Sequence, residues 1–314
     1  MPVALDTRKF ARDQAGRLLG RLAFQVNRTT KSFDPAAVHE LRGAIRRFVR
    51  LLSVFKPCFE GKATRKMRRR LKKIMVLTSE VRQRDIALKV LAKSRLEDAA
   101  GLRSKLQSRR KEAARDLASL LQRWLERKSS LKWRAALEAA LSGQAEAFRG
   151  ITIEQTAGEI LPGLAANFFR SGNEAAKEKP SAVKWQELRI ASKKFRYTLE
   201  IFAPLYGPSA LRWLEKIRRT QLVLGGINAW TTTEELVSPY KGGAAMAGWL
   251  KKGLRKQARE FRQFWRKEFG DVESVRTFTA SLGPAAGKKP AGRSLTHSAQ
   301  RLVRGAKISL PSSR

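Results

Sequence analysis

Across 314 residues the sequence carries 66 Lys and Arg against 27 Asp and Glu, a formal net charge of +39, with 42% apolar residues. The apolar share supports a packed core in one large or two moderate domains and excludes a disordered basic chain, while so much like charge calls for a polyanion or an anionic surface. A single cysteine, Cys58, and two histidines, His39 and His297, exclude a disulfide framework, a cysteine-based metal site and a Cys/His nucleophile.

In chain order, apolar residues recur at three- and four-residue spacings, and alternating strand-like runs are missing, so the sequence predicts an all-α fold. The first expected helix covers residues 5–28; the apolar run before it is too short for a signal peptide. The second, 35–56, has Asp34 to cap it, Pro35 at its first turn and Phe33 with Val38 placed as a hydrophobic staple. Its stripe Leu41, Ile45, Phe48, Leu52 and Phe55 faces a core, and Pro57 stops it. Further helices are expected over 62–92, 96–148 (broken near 129–132), 153–171, 181–205, 208–228 and 243–269, with a shorter one near 271–281. Gly225–Gly226 reads as a helix end. The longest uncharged stretch, Thr220 to Thr233, is too short to span a bilayer, so no membrane insertion is expected. From Gly283 onward the chain is small, basic and poor in aromatics, which predicts a flexible tail with one nascent helix near 295–307.

One segment occurs twice. At an offset of 147, HELRGAIRRFVRLLSVFKP (39–57) lies over QELRIASKKFRYTLEIFAP (186–204), with eight of nineteen positions identical. The register continues through Arg65/Arg212, Arg69/Lys216, Lys72/Arg219 and Leu77/Leu224. Two related halves are therefore expected, 1–150 and 151–282, each of about four helices, followed by the tail 283–314.

The repeated helices carry the cations. Arg42, Arg46 and Arg50 sit at i, i+4 and i+8, a row about 100° around the helix from the core stripe, and His39 extends it. Arg47 lies beside them. In the second copy Arg189, Lys193 and Arg196 form the row, with Lys194 beside it and Gln186 in the histidine position. The helices that follow add Arg65, Arg69, Lys72 and Lys73, then Arg212, Lys216 and Arg219. Residues 39–73 contain thirteen Lys and Arg against Glu40 and Glu60, whereas the segment from Glu97 to Glu159 mixes signs as a solvated surface does. Rows that flank a core seam would line a groove or channel once two such helix pairs meet.

HELRGAIRRFVRLLSVF and ELRIASKKFRYTLEIFAPLYG resemble the two signature helices of the CHAD family, a histidine-bearing α-helical domain, over about residues 5–280. The resemblance implies two four-helix bundles around a basic central pore. It also implies non-enzymatic binding of inorganic polyphosphate, with His39, Arg42, Arg46, Arg47, Arg189, Lys193, Lys194 and Arg196 as ligands. Polyphosphate is a flexible polyanion without bases, and arginine forks meet its oxygens with paired, charge-assisted hydrogen bonds. The single cysteine fits a reducing cytoplasm, and the resemblance adds an expected association with polyphosphate granules. The competing reading is a nucleic-acid-binding or nucleoid-associated protein, for which nucleic acid would otherwise be the weaker competitor; few stacking aromatics (Trp185, Tyr197, Trp213) lie near the rows. No cofactor and no enzymatic activity are expected: the sequence holds no P-loop and no ExExK motif.

Overall fold

The structure, a computed structural model, describes residues 6–94, 99–143, 146–240 and 243–283. Of the predicted tail 283–314, residues 284–314 with the nascent helix and His297 lie outside the described residues, as do residues 96–98 at the start of the fourth predicted helix. Nine α-helices account for nearly all of the described chain: α1 (Thr7–Ser32), α2 (Pro35–Val54), α3 (Lys62–Leu91), α4 (Ala99–Glu126), α5 (Ser129–Gly143), α6 (Ile153–Ala175), α7 (Ala182–Val237), α8 (Gly243–Phe269) and α9 (Val272–Ser281). Among the described residues the sole β-feature is an isolated bridge between Asp6 and Thr152. The fold is all-α, as the periodicity requires.

Helix α2 forms for the reasons visible in its sequence. The Asp34 side chain accepts a hydrogen bond from the Ala37 N–H at 2.7 Å, and Pro35 opens the first turn. Leu41, Ile45, Phe48, Leu52 and Phe55 are all fully buried or nearly so. Each such side chain contributes about 1.5–3 kcal/mol by leaving water, and truncating Phe48 to Ala would cost about 3–5 kcal/mol. Pro57 sits in a short 3-10 turn, Lys56–Phe59, that ends the helix and redirects the chain into α3.

Several boundaries differ from expectation. Helix α1 continues to Ser32, because Thr29 is buried with its hydroxyl donating to the Gln25 carbonyl, and Phe33 in the left-handed region (φ 48) closes it. The break in the fourth predicted helix falls at 127–128, where Lys128 adopts φ 48, and residues 146–150 form turns so that Phe148 can stand edge-on to Phe55 at 6.0 Å. The two helices predicted over 181–205 and 208–228 are two arms of α7, joined at a kink at Gly207 (φ 59, ψ −150), a conformation that glycine alone adopts at little cost. The chain passes through Gly225–Gly226 without ending the helix, because Ile227, Thr233 and Val237 bury apolar surface beyond it.

Helix α1 lies on α2 and α3 on α4, while α6 and α8 both lie on α7. These two groups meet where α2 and α3 pack against α7. The starts of α1 and α6 (residues 7 and 153), of α2 and α7 (35 and 182) and of α4 and α8 (99 and 243) keep close to the 147-residue offset of the sequence alignment. One large apolar core runs through both groups, and a smaller cluster around Leu91, Leu106, Val237 and Leu250 ties the end of α3 to the start of α8.

Candidate anion-binding site

The seam where α2 and α3 meet α7 is where the basic rows converge. Arg42, next to the core stripe, sends one guanidinium nitrogen to α3, donating to the Met75 carbonyl (3.1 Å), the Thr78 hydroxyl (2.9 Å) and the Ser79 hydroxyl (2.7 Å). Burial, together with repulsion from Arg46, Arg82 and Arg189, lowers its pKa to about 9, so at neutral pH it remains charged. Lys193 is more strongly affected. Burial and the charges of Arg46, Arg189, Arg42 and Arg196 push it down to about 7. Arg189 is likewise lowered by burial and by Arg46, with Glu235 partly offsetting. These side chains from both copies of the repeat stand close enough to repel one another, and apart from Arg196, which also faces Glu200, they are short of carboxylates. His39 lies exposed at the edge of the group, and the surrounding protein and Arg82 hold it below its usual pKa.

A second knot of charge ties the seam together. Glu200 on α7 accepts from Arg47 of α2 at 2.8 Å and lies within ion-pair distance of Arg196 (3.7 Å) and Arg218 (3.9 Å). Burial alone would raise the Glu200 carboxyl, but Arg47, Arg196 and Arg218 together hold it below the ordinary range. Arg47 and Arg196 also stack on the Tyr197 ring, at 5.3 and 4.6 Å from its centroid. Arg50 crosses the same interface and donates to the Thr198 hydroxyl at 2.6 Å.

The other sequence-identified cations lie elsewhere. Arg65, Arg69, Lys72 and Lys73 are exposed on α3, and Lys194 and Arg212 are exposed on α7. Lys216 donates to the Glu268 carbonyl at 3.1 Å and lies over Trp213, and Arg219 pairs with the Glu268 carboxylate at 2.8 Å, so these two brace α8. Sequence reasoning missed Arg82 and Glu200. Their counterparts at the repeat offset are Ala229 and Ser53, so a search for recurring charges passes over both. A helical projection of α3 would have found Arg82, on the face that continues from Met75, Thr78 and Ser79. Trp213, read as a candidate stacking residue, is buried against Phe278. Among the described residues no group of His, Cys, Asp and Glu could hold a metal ion, and no helix is long and apolar enough to cross a membrane.

The scaffold is thus an all-α one that collects arginine and lysine from several helices at one interface. The CHAD domain family model matches residues 14–238, and the chain belongs to that family. The crystal structure of the CHAD domain from the plant Ricinus communis has a similar fold, with a TM-score of 0.64 and 18% sequence identity over 93% of this chain and 98% of that one. No curated protein matches the sequence.

Proposed function

We propose that this protein binds inorganic polyphosphate without turning it over, through the cations that α2, α3 and α7 gather at their common seam. One observation carries the reading: Arg42, Arg46, Arg189, Lys193 and Arg196 come from two separate helices and face each other at a mutual cost. A site that raises the energy of the free protein in this way is relieved by a bound polyanion, which supplies the missing negative charge along its length. Each charge-assisted hydrogen bond to such a chain contributes about 1.5–3 kcal/mol before ordering costs. Family membership supports the same ligand class. The exposed Arg65, Arg69, Lys72, Lys73, Lys194 and Arg212 would extend the contact outward from the seam, and His39 would join it when protonated.

The halves 1–150 and 151–282 are, in this reading, copies of one unit whose equivalent helices enclose a shared basic channel, with 283–314 an accessory basic tail. The protein would act in the cytoplasm, at polyphosphate granules. The decisive experiment titrates long-chain polyphosphate and duplex DNA against each other on the full chain at about 0.15 M salt, near physiological ionic strength. Polyphosphate should displace DNA of matched charge, and its affinity should fall steeply with added salt. Ready displacement of polyphosphate by DNA would instead favour the nucleic-acid reading, whose support is the exposed basic face of α8, with Lys252, Arg255, Lys256, Arg259 and Arg266.

A further inference from the structure

Along α7 the basic row Arg189, Lys193 and Arg196 runs at i, i+4 and i+7, and the next place in it, i+11, is held by Glu200. At about 1.5 Å per residue this carboxylate lies about 10 Å along the helix from Lys193. Its side chain is 15% exposed. One oxygen takes the 2.8 Å hydrogen bond from Arg47. The other, 3.7 Å from Arg196 and 3.9 Å from Arg218, is buried and accepts none, and the Arg196 Nε is buried without an acceptor. Burial alone would lower Arg47, but Glu200 holds it above its ordinary value, the reverse of Arg42, Arg189 and Lys193. Among the described residues those three and Arg46 lie within ion-pair distance of no carboxylate. The cations of the seam thus form an uncompensated group and a compensated one, with Arg196 between them. In the first copy of the repeat Ser53 stands at the place of Glu200 and accepts from Arg68 at 3.1 Å, so one copy alone carries the carboxylate.

We propose that Glu200 is a specificity-determining residue that ends the polyanion site: it claims Arg47 and Arg218 for the protein, shares Arg196, and turns phosphate away from that end of the seam. A tie between α2 and α7 would account for the bond to Arg47 alone. It does not account for a carboxylate set in line with a cation row, one buried oxygen of which is left unbonded. A phosphate drawn to Arg47 or Arg196 must settle against this carboxylate, in a part-buried place where like charges repel more than in water. The bound chain therefore stops at Arg42, Arg46, Arg189 and Lys193, with Arg196 at its limit. Arg47, expected from the sequence as a ligand, serves here to join the helices.

The inference rests on the seam reading, and the test separates the two. Long polyphosphate and a graded series of shorter chains are titrated into the full chain by calorimetry, for the unaltered protein, Glu200→Gln, Arg218→Gln and the double variant, with melting followed in parallel. Glu200→Gln should melt lower yet bind long polyphosphate at least about tenfold more tightly, the scale of one charge-assisted hydrogen bond gained. Its salt dependence should steepen by about one charge or more, and the shortest chain that reaches full affinity should lengthen. Arg218 is the most exposed of the three arginines around Glu200. Arg218→Gln alone should change affinity less than about threefold. In the Glu200→Gln background it should erase most of the gain, a coupling that a purely structural tie does not produce. Unchanged or weaker binding by folded Glu200→Gln would overturn the proposal, since the carboxylate would then do no more than hold the helices. Should that variant not fold, Arg218→Gln decides: a loss under about threefold upholds the proposal, and a loss of about tenfold or more places Arg218 among the ligands and overturns it. The seam reading fails on a different result, namely polyphosphate affinity that is indifferent to Arg46→Glu with Arg189→Glu.

Discussion

Polyphosphate binding should draw a proton from solvent, and Lys193 fixes how much. In the free protein its pKa is about 7. A lysine in water titrates near 10.4. At pH 8 roughly one Lys193 in ten is therefore charged before binding, and nearly all would be once phosphate oxygens surround the ammonium, an uptake of about 0.9 proton per complex. At pH 6 the group is already mostly charged and uptake should fall to about 0.1. Calorimetric titration with long polyphosphate, whose end groups are few, in buffers of different ionisation enthalpy reads this number directly. Binding should weaken by up to about tenfold per pH unit above pH 7, because the charged form must be regenerated. Lys193→Arg should keep affinity and lose the uptake. The same shift has a signature without ligand. Between pH 7 and about 10.5 the unfolded chain holds more protons at this residue than the native one, so stability should rise with pH across that window, by at most about 5 kcal/mol. An enthalpy at pH 8 that does not depend on the buffer would refute the argument, since it would mean that Lys193 is either charged already or far from the ligand.

Glu200→Gln leaves Arg47, Arg196 and Arg218 without their shared carboxylate and should cost about 3–5 kcal/mol, the scale for breaking a buried ion pair; thermal melting would show it, and added polyphosphate should restore part of the loss. Arg46→Glu with Arg189→Glu, one from each half, should reduce polyphosphate affinity about a hundredfold or more while Lys111→Glu with Arg115→Glu, exposed on α4, changes it little; equal losses in a binding assay would mean that net charge alone governs affinity. Gly172→Ala should destabilise by about 1–3 kcal/mol, because a methyl group there runs into the buried Trp265 ring, and denaturant unfolding would measure it.

What the sequence conveyed, and what it withheld, follows from the range of each interaction. The stripe and cap of α2 are local, repeat with helical period and need no knowledge of the partner helices. The convergence of Arg42, Arg46, Arg189 and Lys193 was legible because a repeated segment reports equivalent positions. The role of Glu200 was not, because Arg47 and Arg218 reach it from α2 and from the far arm of α7, and nothing in the neighbourhood of Glu200 in sequence announces those partners. Lys216 and Arg219 fit the periodic row equally well, yet Glu268 on α8 draws both away from it, a contact set by how α7 and α8 lie together. The continuity of α7 was hidden for a different reason: Pro204, Gly207 and Pro208 are the residues that ordinarily end helices, and here they bend one.

That bend makes the two links between paired helices unequal as sites for insertion. Between α2 and α3 the chain runs through a 3-10 turn and on through exposed Glu60 and Gly61, where an added residue can bulge outward at small cost. Between the arms of α7 there is no slack, since Gly207 alone joins them. One residue added there would rotate the second arm by about 100° and advance it by about 1.5 Å. Arg218 would swing away from Glu200, and the apolar face that meets α3 would turn toward water. Length changes should therefore accumulate in the first link and be eliminated from the second.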